Sequence, residues 1–492
     1  MEGEVQLTKD VKTMLSDPKK ALIAMAIPIV ISNFIQSANN IIDTIWLTSI
    51  GVDAQAAVSV IFPIFFIVIG LGNGIAVGVS QALARRVGAN NKIEANHVAE
   101  QAIVISLIIS IFLTVVFLIF SEQIIFAGGG SSNMDACMAY AIPIFIGFPV
   151  IILSDIFSGL LRSEGSSKRA MYVMVLGAGL NIVLDPIFIF VLDMGISGAA
   201  WATTIAMIVP MFLVVYWYYL KKDTYVHPTF EGFSFDKVLI VDILRVGIPA
   251  SLEMVLLSLM MMVMNLIIEG VASVDGVAIY GNCWKLMDLF FMPTMAIGFA
   301  VVPLCAAAIG AKDYQRVRSI YYLALKYGIL ISIGITVVLL LFSEFLVIPF
   351  SYSEETLHLR SQMVTMLMIC SLMMPLGPLG YTSSGYFQGM GWGLKSLSII
   401  LVLNLLRIPI CIVMASMYGT LESIWWGVVA AETIGALYGG IFGFYSIHKL
   451  VTGGYPKYPL PERSPDNSLV REKEKCFPEG CGRSSDILPV LS

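Results

Sequence analysis

The sequence predicts an all-α membrane protein with twelve transmembrane helices. They form two six-helix bundles, related as parallel repeats by a pseudo-twofold axis. Three observations support this fold class: the composition, the recurrence of long apolar stretches, and an internal repeat. Of the 492 residues, 58% are hydrophobic and 13% are charged, whereas soluble domains carry about 25% charged residues. Such a chain must place most of its side chains in lipid or inside a helical bundle.

Apolar stretches of about 20 residues, the length that crosses a bilayer as a helix, occur twelve times. They are predicted at 21–48, 55–84, 95–120, 135–161, 168–191, 195–220, 240–268, 276–307, 315–348, 357–388, 394–417 and 421–448. The expected domains are an N-terminal segment (1–20), a first bundle (21–220), a linker (221–239), a second bundle (240–450) and a tail (451–492). The tail is rich in Pro and charged residues and has no apolar period, so we expect it to be disordered.

Lys and Arg are unevenly distributed between the two sets of loops. They are concentrated on the side of the N-terminal segment, whereas the opposite loops contain little besides Arg360. The positive-inside rule therefore predicts a multi-pass plasma-membrane protein with both termini in the cytoplasm. The net charge of −5 gives no reason to expect a nucleic-acid partner. We expect a monomer surrounded by membrane lipids.

An internal repeat relates the two halves of the chain. The paired segments are Ala26-Ile-Pro28 with Gly247-Ile-Pro249, Gly51-Val-Asp-Ala with Ser273-Val-Asp-Gly, Gly88-Ala-Asn-Asn-Lys with Gly310-Ala-Lys-Asp-Tyr, Ser158-Gly-Leu-Leu-Arg-Ser-Glu-Gly165 with Ser384-Gly-Tyr-Phe-Gln-Gly-Met-Gly391, and Asn181-Ile-Val-Leu-Asp-Pro186 with Asn404-Leu-Leu-Arg-Ile-Pro409. Each half contains an even number of spans, so both halves share one orientation in the membrane. Parallel repeats of this kind are typical of secondary transporters with a substrate cavity between two bundles.

The first span carries a polar stripe. Gln36, Asn39, Asn40 and Asp43 are spaced i, i+3, i+4 and i+7, so they share one helix face. A carboxylate at the bilayer centre costs about 2.5–3.5 kcal/mol, so this face is expected to line a bundle interior or a water-filled cavity. Asp43 is therefore a candidate functional residue; the alternative is a structural acid at a helix–helix contact.

A second intramembrane acid, Asp185, precedes Pro186 in the fifth span. Its repeat equivalent is Ile408, as Asn265 is that of Asp43, so the acid pair is confined to the first half. Asn181 lies one turn before Asp185, and Thr203 opens the sixth span at similar depth. Oxygen ligands of this kind suit a hard cation, and two close acids can share a proton, so sodium and proton both remain open. The alternative for Asp185 is to satisfy backbone groups freed by the proline.

The second half also contains charged residues inside its spans. Glu253 lies in the seventh span and Arg407 in the eleventh. They could form a cross-helix pair, line the cavity, or belong to a second cation site.

Together these features resemble the multidrug and toxin extrusion (MATE) family, and the acid pair in the first half resembles its DinF-type branch, particularly the archaeal members. The resemblance rests on the two six-span repeats and on four motifs, which are Ile27-Pro28, Asp43-Thr-Ile-Trp46, Gly88-Ala-Asn-Asn-Lys92 and Asn181-x-x-x-Asp185-Pro186. It covers about residues 15–450.

The resemblance implies export of organic cations or amphiphilic drugs in exchange for protons or sodium ions. It implies a coupling-ion site at Asp43, Asn181, Asp185 and Thr203, which would hold the metal ion if sodium is the coupling ion. The substrate-binding residues are then expected at Gln36, Asn39, Asn40 and Met174. Pro28 is interpreted either as a hinge that lets span one bend when Asp43 changes charge, or as a fixed bend.

The competing interpretation is a lipid or lipid-linked oligosaccharide flippase of the same superfamily. A flippase for pyrophosphate-linked substrates should carry several Arg or Lys facing its cavity, and Arg407 is nearly alone in the central spans. A channel or receptor ranks third, because neither predicts acids in only one repeat. The sequence contains no Walker-type loop, Gly-x-Ser-x-Gly or His-Glu-x-x-His motif. We therefore expect neither an enzyme nor a cofactor other than the coupling ion.

Overall fold

The computed structural model describes residues 7–351 and 357–453, and nearly all of the predicted tail lies outside them. These residues form helices and connecting loops without any strand. Twelve of the helices are long and apolar enough to cross a membrane, which confirms the predicted fold class. We label them α1 to α12; they are Pro18–Leu47, Ala54–Gly88, Lys92–Ile119, Met134–Ser163, Ser167–Val191, Gly195–Lys221, Lys237–Ser273, Asp275–Gly310, Tyr314–Phe350, Arg360–Gly389, Gly393–Tyr418 and Leu421–Val451.

Local sequence signals fix where α1 begins. Asp17 caps the helix by accepting hydrogen bonds from the backbone N–H groups of Lys19 (3.0 Å) and Lys20 (3.2 Å). Pro18 occupies the first turn, where its missing N–H costs nothing. The helix therefore starts three residues earlier than the apolar pattern alone predicts. A short helix, Lys9–Met14, precedes it.

Several spans depart from regular α-helix. The last turns of α5 and α6, Ile187–Val191 and Tyr216–Lys221, are π-helical, and in α5 this turn follows Pro186. In α10 a 3₁₀ turn, Met374–Leu376, interrupts the helix. The α7–α8 pair is continuous except at Ala272 and Ser273, whose backbone angles are not helical.

The two halves meet where α2 packs against α7 and α8. The α2–α8 crossing is close because glycine lies on both sides. A Cβ at Gly88 would overlap the carbonyl oxygen of Ala307, and a Cβ at Gly310 would overlap that of Arg85. Gly88 and Gly310 are equivalent in the repeat, so the crossing is symmetric. Beside it, Asp242 of α7 forms ion pairs with Arg85 and with the next residue of α2, Arg86.

The segment between α6 and α7 follows the first half of the protein. Its backbone N–H groups donate to side chains of that half: Tyr225 to Glu164 Oε2 (2.7 Å), His227 to Asn96 Oδ1 (2.9 Å) and Thr229 to Glu100 Oε1 (3.1 Å). The predicted linker is therefore bound along its first part and is not a free loop there.

Candidate ion and substrate site

Three helices of the first half contribute to one polar cluster. Asn39 Nδ2 donates to Asp43 Oδ2 (3.2 Å) on its own helix and to Asn181 Oδ1 (2.8 Å) on α5. Asn181 Nδ2 in turn donates to Asp185 Oδ1 (3.0 Å) and lies 3.4 Å from Thr203 Oγ1 on α6. The four residues predicted for the coupling-ion site are thus brought together, joined by Asn39.

The Asp43 and Asp185 carboxyl groups approach each other closely enough to share a hydrogen bond. They border a cavity of about 10 Å³, roughly the volume of one probe sphere and enough for a single water molecule. Its lining residues are Asp43, Trp46, Leu47, Tyr140, Asp185, Ala199 and Thr203. A proton or one small desolvated cation is therefore the size of guest that this cavity accommodates.

The cluster is not saturated by the protein's own hydrogen bonds. Asn39 Oδ1, Asp43 Oδ1 and Trp46 Nε1 are buried without a hydrogen-bond partner among the described residues. Buried polar atoms are normally satisfied, so the two free oxygens are available to a cation or a water molecule. Among the described residues no group of three or more His, Cys, Asp or Glu could hold a metal; any cation here would rely on amide and hydroxyl oxygens in addition to the two carboxylates.

Tyr140 was missed by sequence reasoning. It lies on α4, which carries no polar stripe that would single it out, and it reaches the cavity only because α4 packs against α6. Trp46 belongs to the motif that begins at Asp43, and its position one turn after the acid was a usable signal.

The residues predicted to bind substrate divide into three groups. Asn39 is buried inside the ion cluster. Gln36 and Asn40 lie on the accessible part of α1, where Gln36 Nε2 donates to Asn40 Oδ1 (3.3 Å). Met174 is half-buried on α5, seven residues before Asn181, and does not line the small cavity.

Pro28 is buried in a helix that continues through it. The hydroxyl of Ser32 donates to the Pro28 carbonyl (2.8 Å). Whether α1 bends at this position stays a prediction.

The structure does not bring Glu253 and Arg407 together, so their interpretation as a cross-helix pair is wrong. Glu253 accepts hydrogen bonds from Ser396 Oγ (2.7 Å) and Gln388 Nε2 (3.2 Å). Arg407 instead forms an ion pair with Glu432 of α12. The partners of Glu253 and Arg407 lie on three helices, α10, α11 and α12. Spacing along a single helix therefore cannot predict these contacts.

A family model described as MatE matches this chain twice, at residues 28–187 and 249–413. The chain belongs to the multidrug and toxin extrusion (MATE) family. The two matches start at Pro28 and Pro249, which the internal repeat pairs, and MATE proteins are membrane transporters, not enzymes. The assignment to the DinF-type branch and to its archaeal members stays a prediction.

Related proteins agree with this assignment over most of the chain. The multidrug export protein MepA of Staphylococcus saprophyticus is 27% identical over 85% of this chain and 92% of its own length. The probable multidrug resistance protein YoeA of Bacillus subtilis is 29% identical over 69% of this chain and 74% of its own. A solved outward-facing multidrug resistance MATE family transporter is 32% identical, with a TM-score of 0.88 over 91% of this chain and 100% of that one.

Proposed function

We propose that this MATE transporter is a secondary active multidrug exporter. It exchanges organic cations or amphiphilic drugs for protons or sodium ions that enter at the Asp43–Asp185 site. The observation that carries the proposal is the meeting of two carboxyl groups in one small cavity of the first half, with no Lys or Arg among the lining residues.

The charges explain how such a site can couple two cations. With both carboxylates ionised, the first half carries two uncompensated negative charges and attracts a cationic amphiphile. Entry of a proton or a sodium ion reduces that charge and weakens the attraction for the drug. Moving one charge across 100 mV supplies about 2.3 kcal/mol, equivalent to a change of more than tenfold in an equilibrium constant.

The position of the cluster supports a role for α1 in this exchange. Asn39 and Asp43 are both on α1 and contact Asn181 and Asp185 of α5. A change in charge at Asp43 therefore alters the attachment of α1 to α5, and bending at Pro28 would let the helix respond. In the orientation proposed from the loop charges, both termini face the cytoplasm and the cluster lies in the outer half of the membrane.

Purified protein in liposomes tests the proposal. Ethidium movement is followed while a pH gradient or a sodium gradient is imposed separately, for wild type and for Asp43→Asn. We expect wild-type ethidium movement under one of the two gradients, which identifies the coupling ion, and movement at the rate of protein-free liposomes for the variant.

Two results would contradict the proposal. Wild-type rates from Asp43→Asn would show that the acid pair does not couple transport. Movement under neither gradient would favour the flippase interpretation and would call for labelled lipids. The pairing of Arg407 with Glu432 weakens that interpretation in advance, because this arginine is already engaged by a carboxylate.

A further inference from the structure

One face of α8 is directed at the first half of the protein. Trp284, Asp288 and Met292 are spaced by four residues and therefore share this face. The Met292 sulfur accepts a hydrogen bond from the hydroxyl of Ser37 on α1 at 3.9 Å. This contact joins the two halves at Met292 and shows that the face is turned toward α1.

Asp288 and Asn40 lie on the same side of that contact. Consecutive spans alternate in direction, so α1 and α8 run antiparallel. Asn40 follows Ser37 by three residues and Asp288 precedes Met292 by four, which places both about one helical turn beyond the contact, at about 4.5–6 Å. Asp288 therefore lies across from the accessible polar part of α1.

The carboxylate of Asp288 is exposed, and within residues 7–351 and 357–453 it forms no hydrogen bond or ion pair. The nearest base, Arg407, is close enough to interact with it electrostatically but is paired with Glu432. Lys285 is exposed three residues earlier and forms no ion pair with Asp288 in the described structure. Asp288 therefore has no ion-pair partner among the described residues, although Lys285 lies on the same wall.

The neighbouring indole is held in place by its surroundings. The Arg407 guanidinium lies 5.1 Å from the centroid of the Trp284 ring. Tyr280 packs against the same ring at 5.4 Å and stacks on Trp425 at 6.0 Å with an interplanar angle of 4°. An indole one turn from a free carboxylate offers an aromatic ring and a negative charge to an organic cation, which would share the ring with the Arg407 guanidinium.

We propose that Asp288 and Trp284 form the second half of the organic-cation site, on the α8 wall opposite Gln36 and Asn40. The inference rests on the proposed export function and assigns part of its substrate site. The internal repeat does not predict it, because the equivalents of Trp284 and Asp288 at an offset of 222 are Phe62 and Phe66, two uncharged rings that pack on each other. A cationic drug would then be held between Asp288 on α8 and the ionised acids of the first half, and it would lose the second attraction when the coupling ion enters.

Equilibrium binding to the purified full-length protein tests the proposal, with ethidium as the cationic probe and Nile red as an uncharged amphiphile. For Asp288→Asn we expect the Kd for ethidium to rise about tenfold and the Kd for Nile red to stay unchanged. Asp288→Glu should restore ethidium binding, and Trp284→Phe should weaken it about threefold. The matched control is Asp275→Asn, because Asp275 is exposed on the same helix but paired with His358 at 3.2 Å, and it should bind ethidium like wild type.

The outcomes separate this inference from the proposed function. Unchanged ethidium binding in Asp288→Asn would overturn the inference and leave gradient-driven export standing. An equal loss for Nile red would overturn it too, since a disrupted cavity, and not a lost charge, would explain the effect. A wild-type protein that does not bind ethidium would overturn both.

Discussion

Helices α5 and α11 are equivalent in the repeat, yet α5 carries an intramembrane acid, Asp185, whereas α11 carries an arginine, Arg407. In α5, Asn181 donates to Asp185, whose carboxyl group meets a second acid and leaves room for a cation. In α11, the equivalent Asn404 donates to the carbonyl of Ile400 within its own helix (2.9 Å), and Arg407 forms an ion pair with a carboxylate. The second half thus carries an arginine at this level that is paired with an acid, whereas the first half has two acids beside a small cavity. In the proposed function, the first of these two related sites is the one that exchanges a cation.

Among variants that test this difference between the halves, Asp185→Asn is expected to have the largest effect on transport. Loss of this carboxylate leaves Asp43 without its partner acid, so we expect gradient-driven ethidium movement to fall to the protein-free rate. Asp193→Asn is the matched control, because Asp193 is an exposed acid eight residues later on the same chain segment. The measurement is dye movement in liposomes. Coupled transport that survives in Asp185→Asn would show that the second half can replace the first.

The two halves also differ in the turns after α4 and α10, at the ends of these membrane helices. Both contain a glycine with positive φ, Gly165 (+78°) and Gly391 (+75°), and the preceding residue is Glu164 in one and Met390 in the other. Both side chains are 1% exposed. Glu164 accepts hydrogen bonds from Tyr218 Oη (2.9 Å) and the Tyr225 backbone N–H (2.7 Å). Burial nevertheless raises the pKa of Glu164 to about 7.

Glu164 should therefore make stability depend on pH, which Met390 cannot do. Because the pKa rises on folding, the folded protein keeps a proton that the unfolded chain loses above about 4.5. Its contribution is greatest below pH 4.5 and is lost as the pH rises through 7, by about 3 kcal/mol in total. Thermal unfolding in detergent between those values should show wild type losing stability relative to Glu164→Gln. Glu231→Gln, at an exposed linker position, should follow wild type; parallel curves for wild type and Glu164→Gln would contradict the assignment.

The glycine crossing of α2 and α8 tests what the halves have in common. Gly310→Ala should destabilise the protein by about 1–3 kcal/mol, because the added methyl group forces apart two backbones that touch. Gly88→Ala should cost a similar amount if the crossing is symmetric. Gly334→Ala on α9 is the matched control, since a Cβ there meets no atom within 4 Å. Melting temperatures in detergent measure all three, and unequal losses at Gly88 and Gly310 would argue against symmetry.

The smallest effect is expected at the short connections α1–α2 and α7–α8. Gly51 has φ +137° and ψ 176°, and its repeat equivalent Ser273 has φ +56° and ψ −153°. This region of backbone space is nearly reserved for glycine, so Ser273→Gly should stabilise the protein by about 1 kcal/mol. Gly51→Ser should destabilise it similarly. Ser273→Ala removes the hydroxyl but keeps the Cβ, and a gain from that variant would show that the hydroxyl, not the backbone, is responsible.

Much of the fold could be read from the sequence because the bilayer imposes it. A membrane helix must be long and apolar, so the twelve stretches correspond to twelve helices in the described residues. Their starts differ from the predicted ones by at most three residues, and at α1 the Asp17 cap accounts for the shift. Helical periodicity likewise placed Asn39 and Asp43 on one face, and it placed Asn181 and Asp185 on another. Comparison of the two repeats showed that Asp43 and Asp185 have no acidic equivalents in the second half.

Tertiary structure alone decided which faces meet. Tyr140 of α4 lines the cavity beside the acid pair, and Arg407 pairs with Glu432 and not with Glu253. Asp288 lies one turn from Trp284 and has no ion-pair partner in the described part of the chain. Periodicity fixes the direction of a side chain relative to its own helix axis only. The rotation, tilt and depth of each helix against its neighbours set the distances between side chains on different helices, and those quantities arise from packing many helices at once.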